Sequence, residues 1–141
     1  MHHREPCMVP NTVGNDRGGG GMVRTFCVEL GHGVDLHGQD ATKAAVRAVR
    51  DAFAHVSLPG LRAVAGVTDL STVEVEVRIG APADAGAIDV EAVRSQFPFG
   101  QIEVRVEPGG LMVPGEAFRP ELGDRIDAIV ISNAAIFVRV P

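Results

Sequence analysis

Hydrophobic and polar residues alternate without a break from Thr72 to Ile79, with Val73, Val75, Val77 and Ile79 on one side and Glu74, Glu76 and Arg78 on the other. A period of two predicts a strand with one buried and one wet face. Ile102, Val104 and Val106 against Glu103 and Arg105 repeat the pattern and predict a second such strand. Ahead of both, Ala41, Ala45, Ala48, Val49, Ala52, Phe53 and Val56 recur at steps of three and four, while Lys43, Arg47, Arg50 and Asp51 fall on the opposite side. That spacing predicts an amphipathic helix, with Asp40 as its N-cap and Pro59-Gly60 as its stop. A shorter helix is expected from about Val90 to Gln96, capped by Asp89 and ended by Pro98 and Gly100. Arg24 to Leu30 reads as an opening strand that ends in a glycine-rich loop, Gly31 to Gly38, and Ala128 to Val140 as one long or two short closing strands. The order β-α-β-α-β-β predicts an α+β two-layer sandwich, a mixed or antiparallel sheet with two helices on one face.

Such a sheet leaves its other face open, with few polar side chains of mixed sign. Packing of that face on other copies is expected to give a cyclic homo-oligomer, with ligand sites between protomers. Residues 1–21, which contain His2, His3, Pro6, Pro10, Asn11, Asn15 and Gly18 to Gly21, cannot bury enough apolar surface to offset the entropy of ordering. They read as a disordered tail upstream of a true start at Met22, with residues 22–141 as a single domain.

Composition narrows the function. The chain has 141 residues, 45% hydrophobic and 22% charged, and its 13 Lys+Arg against 18 Asp+Glu leave a net charge of -5. The tail's charges cancel, so the excess belongs to residues 22–141. With its basic residues scattered and no Trp or Tyr to stack on bases, the chain is not expected to bind nucleic acid. No apolar run reaches the roughly 18 to 20 residues of a membrane span, so no membrane partner is expected. Two distant cysteines, Cys7 and Cys27, and the lack of a secretory pattern point to the cytoplasm.

Candidate chemistry gathers in residues 31–43. Gly31, Gly33 and Gly38 permit tight turning and close backbone approach, and the predicted loop opens into a helix whose free N–H groups attract anions. The spacing is wrong for a dinucleotide fingerprint, because the third glycine of G-x-G-x-x-G falls on Leu36. His32, Asp35 and His37 offer nitrogen and oxygen ligands that suit a divalent metal, although H-x-x-D-x-H is no specific metal motif. The alternatives are contact with a polar or anionic ligand, and a structural role in which Asp35 and His37 hold the turn. The pattern assigns no cofactor.

Lys43 is the single lysine among twelve arginines and falls in a first helical turn, where the dipole disfavours a cation. Either a compact ammonium is required there, or the lysine is a surface residue paired with an acid such as Asp40. His55 reads as a partner for the helix C-terminus. Ser132-Asn133 interrupts the apolar run from Ile129 to Val138, as a hairpin turn or as polar groups aimed into a site. Pro108-Gly109-Gly110 reads first as a bend whose exposed amides could also cradle an oxyanion.

Gly31-His32-Gly33-Val34-Asp35-Leu36-His37-Gly38 resembles the G-x-G-x-D-x-H-G signature of a small family of conserved hypothetical proteins, bacterial and plant. Phe97-Pro98-Phe99-Gly100, Pro108-Gly109-Gly110 and Asn133-Ala134-Ala135 extend the resemblance over nearly all of residues 22–141. More distantly, the layout is similar to one repeat of the ring-opening amidohydrolases, cyanuric acid hydrolase and barbiturase, where three units surround one site built on Ser-Lys pairs. That resemblance implies a trimer. It does not carry over the serine, since the family's Ser-Gly-Gly turn corresponds to Pro108-Gly109-Gly110 and its first-loop lysine falls near His32.

The function expected is therefore a homo-oligomer, in trimeric form, that binds a small polar or anionic molecule at subunit interfaces. As an enzyme it would hydrolyse or isomerise a small carbonyl or cyclic-amide compound. His37 or His32 would be the general base, Asp35 its orienting partner and Lys43 the cation, while helix amides and Gly109-Gly110 would stabilise negative charge. Gly31, Gly33, Gly38, Ser132 and Asn133 would line the ligand. The alternative is a non-catalytic ligand-binding, metal-binding or assembly protein.

Overall fold

The computed structural model describes residues 23–55 and 58–141, so the expectations for residues 1–21 and for Met22 lie outside the described residues. Along the chain come β1 (Arg24–Asp35), α1 (Ala41–Ala54), α2 (Gly60–Ala63), β2 (Glu74–Ala81), α3 (Val90–Arg94), β3 (Gln101–Pro108), β4 (Leu111–Val113) and β5 (Ile129–Val140). The strands form one open mixed sheet ordered β1-β5-β2-β3, with β4 beside the start of β5. Only β2 and β3 run parallel, joined by a crossover that contains α3, and every other pair is antiparallel. This is the α+β class that the periodicities predict.

The core lies between the sheet and α1. Val75, Val77 and Ile79 of β2 and Ile136, Val138 and Val140 of β5 turn inward, against Ala45, Ala48, Val49 and Ala52 of α1. Leu61 of α2 and Val93 of α3 close the flanks. Asp40 caps α1 by accepting a hydrogen bond from the Lys43 amide, and Asp89 caps α3 through the Glu91 and Ala92 amides. The alternate residues of β2, Glu74, Glu76 and Arg78, fall on the face that no helix covers.

Two local expectations are corrected. Gly31 to Asp35 is strand, not loop: β1 runs on to Asp35, and the turn into α1 is only Leu36 to Asp40. The glycines suit a strand here because α1 lies directly on it. A Cβ at Gly31 would stand 2.3 Å from the Ala48 carbonyl oxygen, and one at Gly33 would stand 2.1 Å from that of Ala44. Neither distance is sterically possible, so the bare backbone of β1 and the alanine stripe of α1 together let helix and sheet meet. Ser132-Asn133 is likewise no hairpin, since β5 is continuous from Ile129 to Val140. Period two sends Ser132 inward, fully buried, and Asn133 outward.

Strand β1 is an edge, and α1 protects it. The His32 amide donates to the Asp51 carboxylate at 2.9 Å, and the Arg47 guanidinium donates to the Val34 carbonyl. Side chains thus occupy main-chain groups that another strand could otherwise pair with.

Candidate functional site

The end of the sheet where β1 finishes and β5 begins carries the polar cluster. Asp35, the last residue of β1, points inward with its side chain 1% exposed. Its Oδ2 accepts from the Asp40 amide at 2.9 Å, which fixes the turn. Lys43 Nζ lies 2.8 Å from Oδ1, and Arg47 NH1 lies 3.6 Å from the same oxygen. Oδ1 is held by these two positive charges. Both cations keep about half of their side chains in solvent (47%). Lys43 therefore pairs with Asp35 rather than with Asp40, whose carboxylate is engaged on the Lys43 amide. That cap also places a carboxylate over the start of α1, so these amides do not form an open anion cradle.

Beside this pair lies a second carboxylate that the sequence did not single out. Asp124 Oδ1 accepts from the Gly38 amide at 2.7 Å and from Gln39 Nε2 at 3.1 Å, and Oδ2 accepts from the Arg119 amide at 2.8 Å. His37 Nδ1 is 2.8 Å from Oδ2. Burial works to raise the Asp124 carboxyl, but the hydrogen bonds from His37, Gly38, Arg119 and Gln39 outweigh it and hold the group well below the usual carboxylate range. An ionised carboxylate only accepts, so Nδ1 of His37 carries the hydrogen and Nε2 is the free ring nitrogen. The His37 side chain is 31% exposed, which leaves part of the ring open to solvent. Asp124, not Asp35, orients the histidine.

Gln39 locks the arrangement. Buried and left-handed (φ 49°), it donates to Asp124 and to the Ala128 carbonyl, and its Oε1 accepts from the Arg125 amide. The turn before α1 and the loop before β5 thus form one hydrogen-bonded unit. Gly38 takes φ +95° inside it, a conformation that glycine adopts without strain.

The remaining predicted residues are dispersed. The His32 ring lies 3.3 Å from Asp51, two turns along α1 from Lys43, and its side chain is 75% exposed. Gly31 and Gly33 face the α1 backbone, and the buried Ser132 Oγ has no hydrogen-bond partner. Asn133 stands between His32 and Gly80 on the open face, its Oδ1 over Gly80, and Gly109 packs against Gly80 from the next turn. Gly110, at φ +64°, lies close to the Ile131 carbonyl at the same end of the sheet as Asp35.

His32, Asp35 and His37 therefore sit in three separate pairs, with Asp51, Lys43 and Asp124 respectively. Among the described residues no group of three or more His, Cys, Asp or Glu side chains gathers to hold a metal ion. At the opposite end of the sheet an apolar groove of about 360 Å³ opens between α1 and the start of β3, lined by Phe53, Leu58, Pro98 and Phe99 with Arg50 and Gln96 at its rim. It is remote from His37 and Lys43.

No helix among the described residues is long and apolar enough to cross a membrane. Nothing among the curated proteins matches the chain. It is similar to the crystal structure of an FtsZ-like protein of unknown function from Nostoc punctiforme, at 40% identity and a TM-score of 0.74, over 84% of this chain and 96% of that one. The model of a conserved hypothetical protein family, Lin0512, matches residues 25–138, a span that includes Gly31–Gly38, both carboxylate pairs and almost the whole sheet, and the chain belongs to that family.

Proposed function

We propose that this protein binds a small anionic or polar molecule where β1 turns into α1, and that the site lies at a contact between copies of the chain. The observation that carries this reading is the pairing of two buried carboxylates with two partly exposed basic side chains, Asp35 with Lys43 and Asp124 with His37, where the turn before α1 meets the loop before β5. Each carboxylate fixes its partner without covering it. Lys43 and Arg47 supply positive charge to a ligand, and His37 Nε2 supplies a hydrogen bond. Pre-set groups of this kind lose little freedom on binding.

The chemistry such a site suits is proton transfer beside a developing negative charge. His37, with its tautomer fixed by Asp124, acts as general base on a small carbonyl or cyclic-amide compound, and Lys43 balances the oxyanion. In hydrolysis the proton it takes is that of the attacking water, and in isomerisation that of a carbon beside the carbonyl. A serine mechanism of the ring-opening amidohydrolase kind finds no support, because Ser132 is enclosed beneath α1 and Pro108 stands at the other candidate position. Binding without turnover is the second reading, favoured by the absence, among the described residues, of a hydroxyl or thiol hydrogen-bonded to His37.

The open face supports association. Arg78 pairs with Glu107, Arg105 with Glu103, and Arg139 with Glu76, so its charges are largely neutralised within the chain. A trimer is the assembly proposed, in the cytoplasm, with a small molecule and neither nucleic acid nor membrane as partner. Inorganic phosphate is the first probe. With no Trp or Tyr in the chain, unfolding is best followed by circular dichroism. Phosphate should raise the melting temperature of the wild type, and Lys43→Ala and His37→Ala should each reduce that rise. An equal rise in all three proteins would refute the site.

A further inference from the structure

Four large apolar side chains stand exposed, among the described residues, on the segments that hold His37. Leu36, Phe118, Leu122 and Ile126 are each more than half exposed. They belong to one unit. Leu36 precedes His37, and Phe118 precedes Arg119, whose amide shares Asp124 Oδ2 with the His37 ring. The Ile126 amide reaches Gln39 Oε1, and the Leu122 carbonyl oxygen lies 3.9 Å from where a Cβ at Gly38 would stand. Their positions are set by buried hydrogen bonds, so this is a built surface and not a loose loop. Exposed apolar side chains on a fixed support beside a polar site mark a contact surface.

A second patch lies elsewhere on the same chain. On the uncovered face of the sheet, Val28 is 46% and Leu30 67% exposed. Two distinct patches on one molecule are what a head-to-tail contact requires, and such contacts form a ring where the rotation between copies closes. Charge favours the same match. Among the described residues Glu74 is the acid of that face without an ion-pair partner, and Arg125, between Asp124 and Ile126, is a collar arginine without one.

We infer that the collar of Leu36, Phe118, Leu122 and Ile126 docks on the Val28 and Leu30 face of a second copy of this chain, so that each His37 site is roofed by its neighbour. The inference rests on the reading that copies associate through the open face, and adds which surface meets it. The neighbour excludes water from the ring of His37, and Arg125 of one copy meets Glu74 of the next.

Leu30→Glu and Phe118→Glu provide the test, because both residues are exposed and neither supports the core. Sedimentation velocity at micromolar concentration should show an oligomer for the wild type and monomers for each variant, with unchanged circular dichroism. Mixing the two variants is the decisive step. Phe118→Glu keeps an intact sheet face and Leu30→Glu keeps an intact collar, so the mixture should form a heterodimer with a single good contact. Arg125→Glu should weaken the oligomer, and adding Glu74→Arg should restore it. A wild-type monomer, or a mixture that stays monomeric, would overturn the head-to-tail contact. An oligomer lost in Leu30→Glu but kept in Phe118→Glu would overturn the collar while leaving association through the open face intact. The phosphate response, measured separately, reports on the ligand site alone.

Discussion

His37 Nδ1 and Asp124 Oδ2 meet at 2.8 Å although 87 positions separate them in the chain. The bond joins the turn before α1 to the loop before β5, and it leaves Nε2 as the ring nitrogen not engaged by Asp124. Asp124→Asn would replace an ionised acceptor by an amide, weakening the hold on the Gly38 and Arg119 amides and freeing the His37 tautomer. The folded-state pKa of Asp124 lies below its unfolded value, so its stabilising effect is complete above the ordinary carboxylate range and is lost as pH falls through that range and below. The wild type should therefore melt higher than Asp124→Asn at neutral pH, and the two melting temperatures should converge as pH is lowered toward 2. A constant gap across that range would show that the carboxylate charge is not what stabilises the junction.

Gly33 lies so close to α1 that no other residue fits. A Cβ there would stand 2.1 Å from the Ala44 carbonyl oxygen and 2.3 Å from the Ala48 amide nitrogen, both parts of rigid helical backbone. Gly33→Ala should therefore cost about 3 kcal/mol or more, at or above the top of the usual range for overpacking, since the whole helix must lift. Gly66→Ala has open space around it and only its φ of +69° to oppose it, so about 1 kcal/mol is expected. Urea unfolding of the two variants beside the wild type measures the contrast.

Periodicity reported the elements whose side chains do the packing. The alternation of Val73 to Ile79 predicts β2, and the three-and-four spacing of Ala41 to Phe53 predicts α1 with its cap at Asp40. It failed at Gly31 to Asp35, because a glycine in a strand leaves no side chain to mark the period, and the reason for the glycines, a helix resting on them, is a tertiary one. Ser132 and Asn133 misled for a related cause, being polar residues within a strand whose faces differ in burial. Asp124 and Gln39 carry no local signal at all, since their roles depend on each other across 85 positions. The Gly31–Gly38 stretch did contain His37, Lys43's partner Asp35 and the turn between them. What remained hidden was the pairing.

Lys43 is the counter-charge of a carboxylate that is almost fully enclosed. Lys43→Met keeps the aliphatic stem and removes the ammonium, leaving Asp35 with its bond to the Asp40 amide and with Arg47 at 3.6 Å. Because the lysine is half exposed, the loss should be about 1–3 kcal/mol, below the range for breaking a fully buried pair. Asp35→Asn should lessen the effect of Lys43→Met, as the double variant no longer buries an uncompensated charge. A double-mutant cycle by chemical denaturation reads this coupling, and strict additivity would place the lysine outside the Asp35 interaction.

Ser132 gives the opposite sign. Its hydroxyl is fully buried beneath α1 and has no hydrogen-bond partner among the described residues, so the fold already bears the cost of desolvating it. Ser132→Ala removes that cost and leaves only a small void, and the packing of Ala44 and Ala48 over Gly33 requires no change in the backbone. The variant should be as stable as the wild type or more so, by up to about 1 kcal/mol. Its melting temperature should equal or exceed the wild type's at every pH, and its response to phosphate should match the wild type's, because Ser132 makes no bond to His37 or Lys43. A fall of several degrees would instead reveal an ordered water bonded to the hydroxyl between strand and helix, lost with the oxygen that held it.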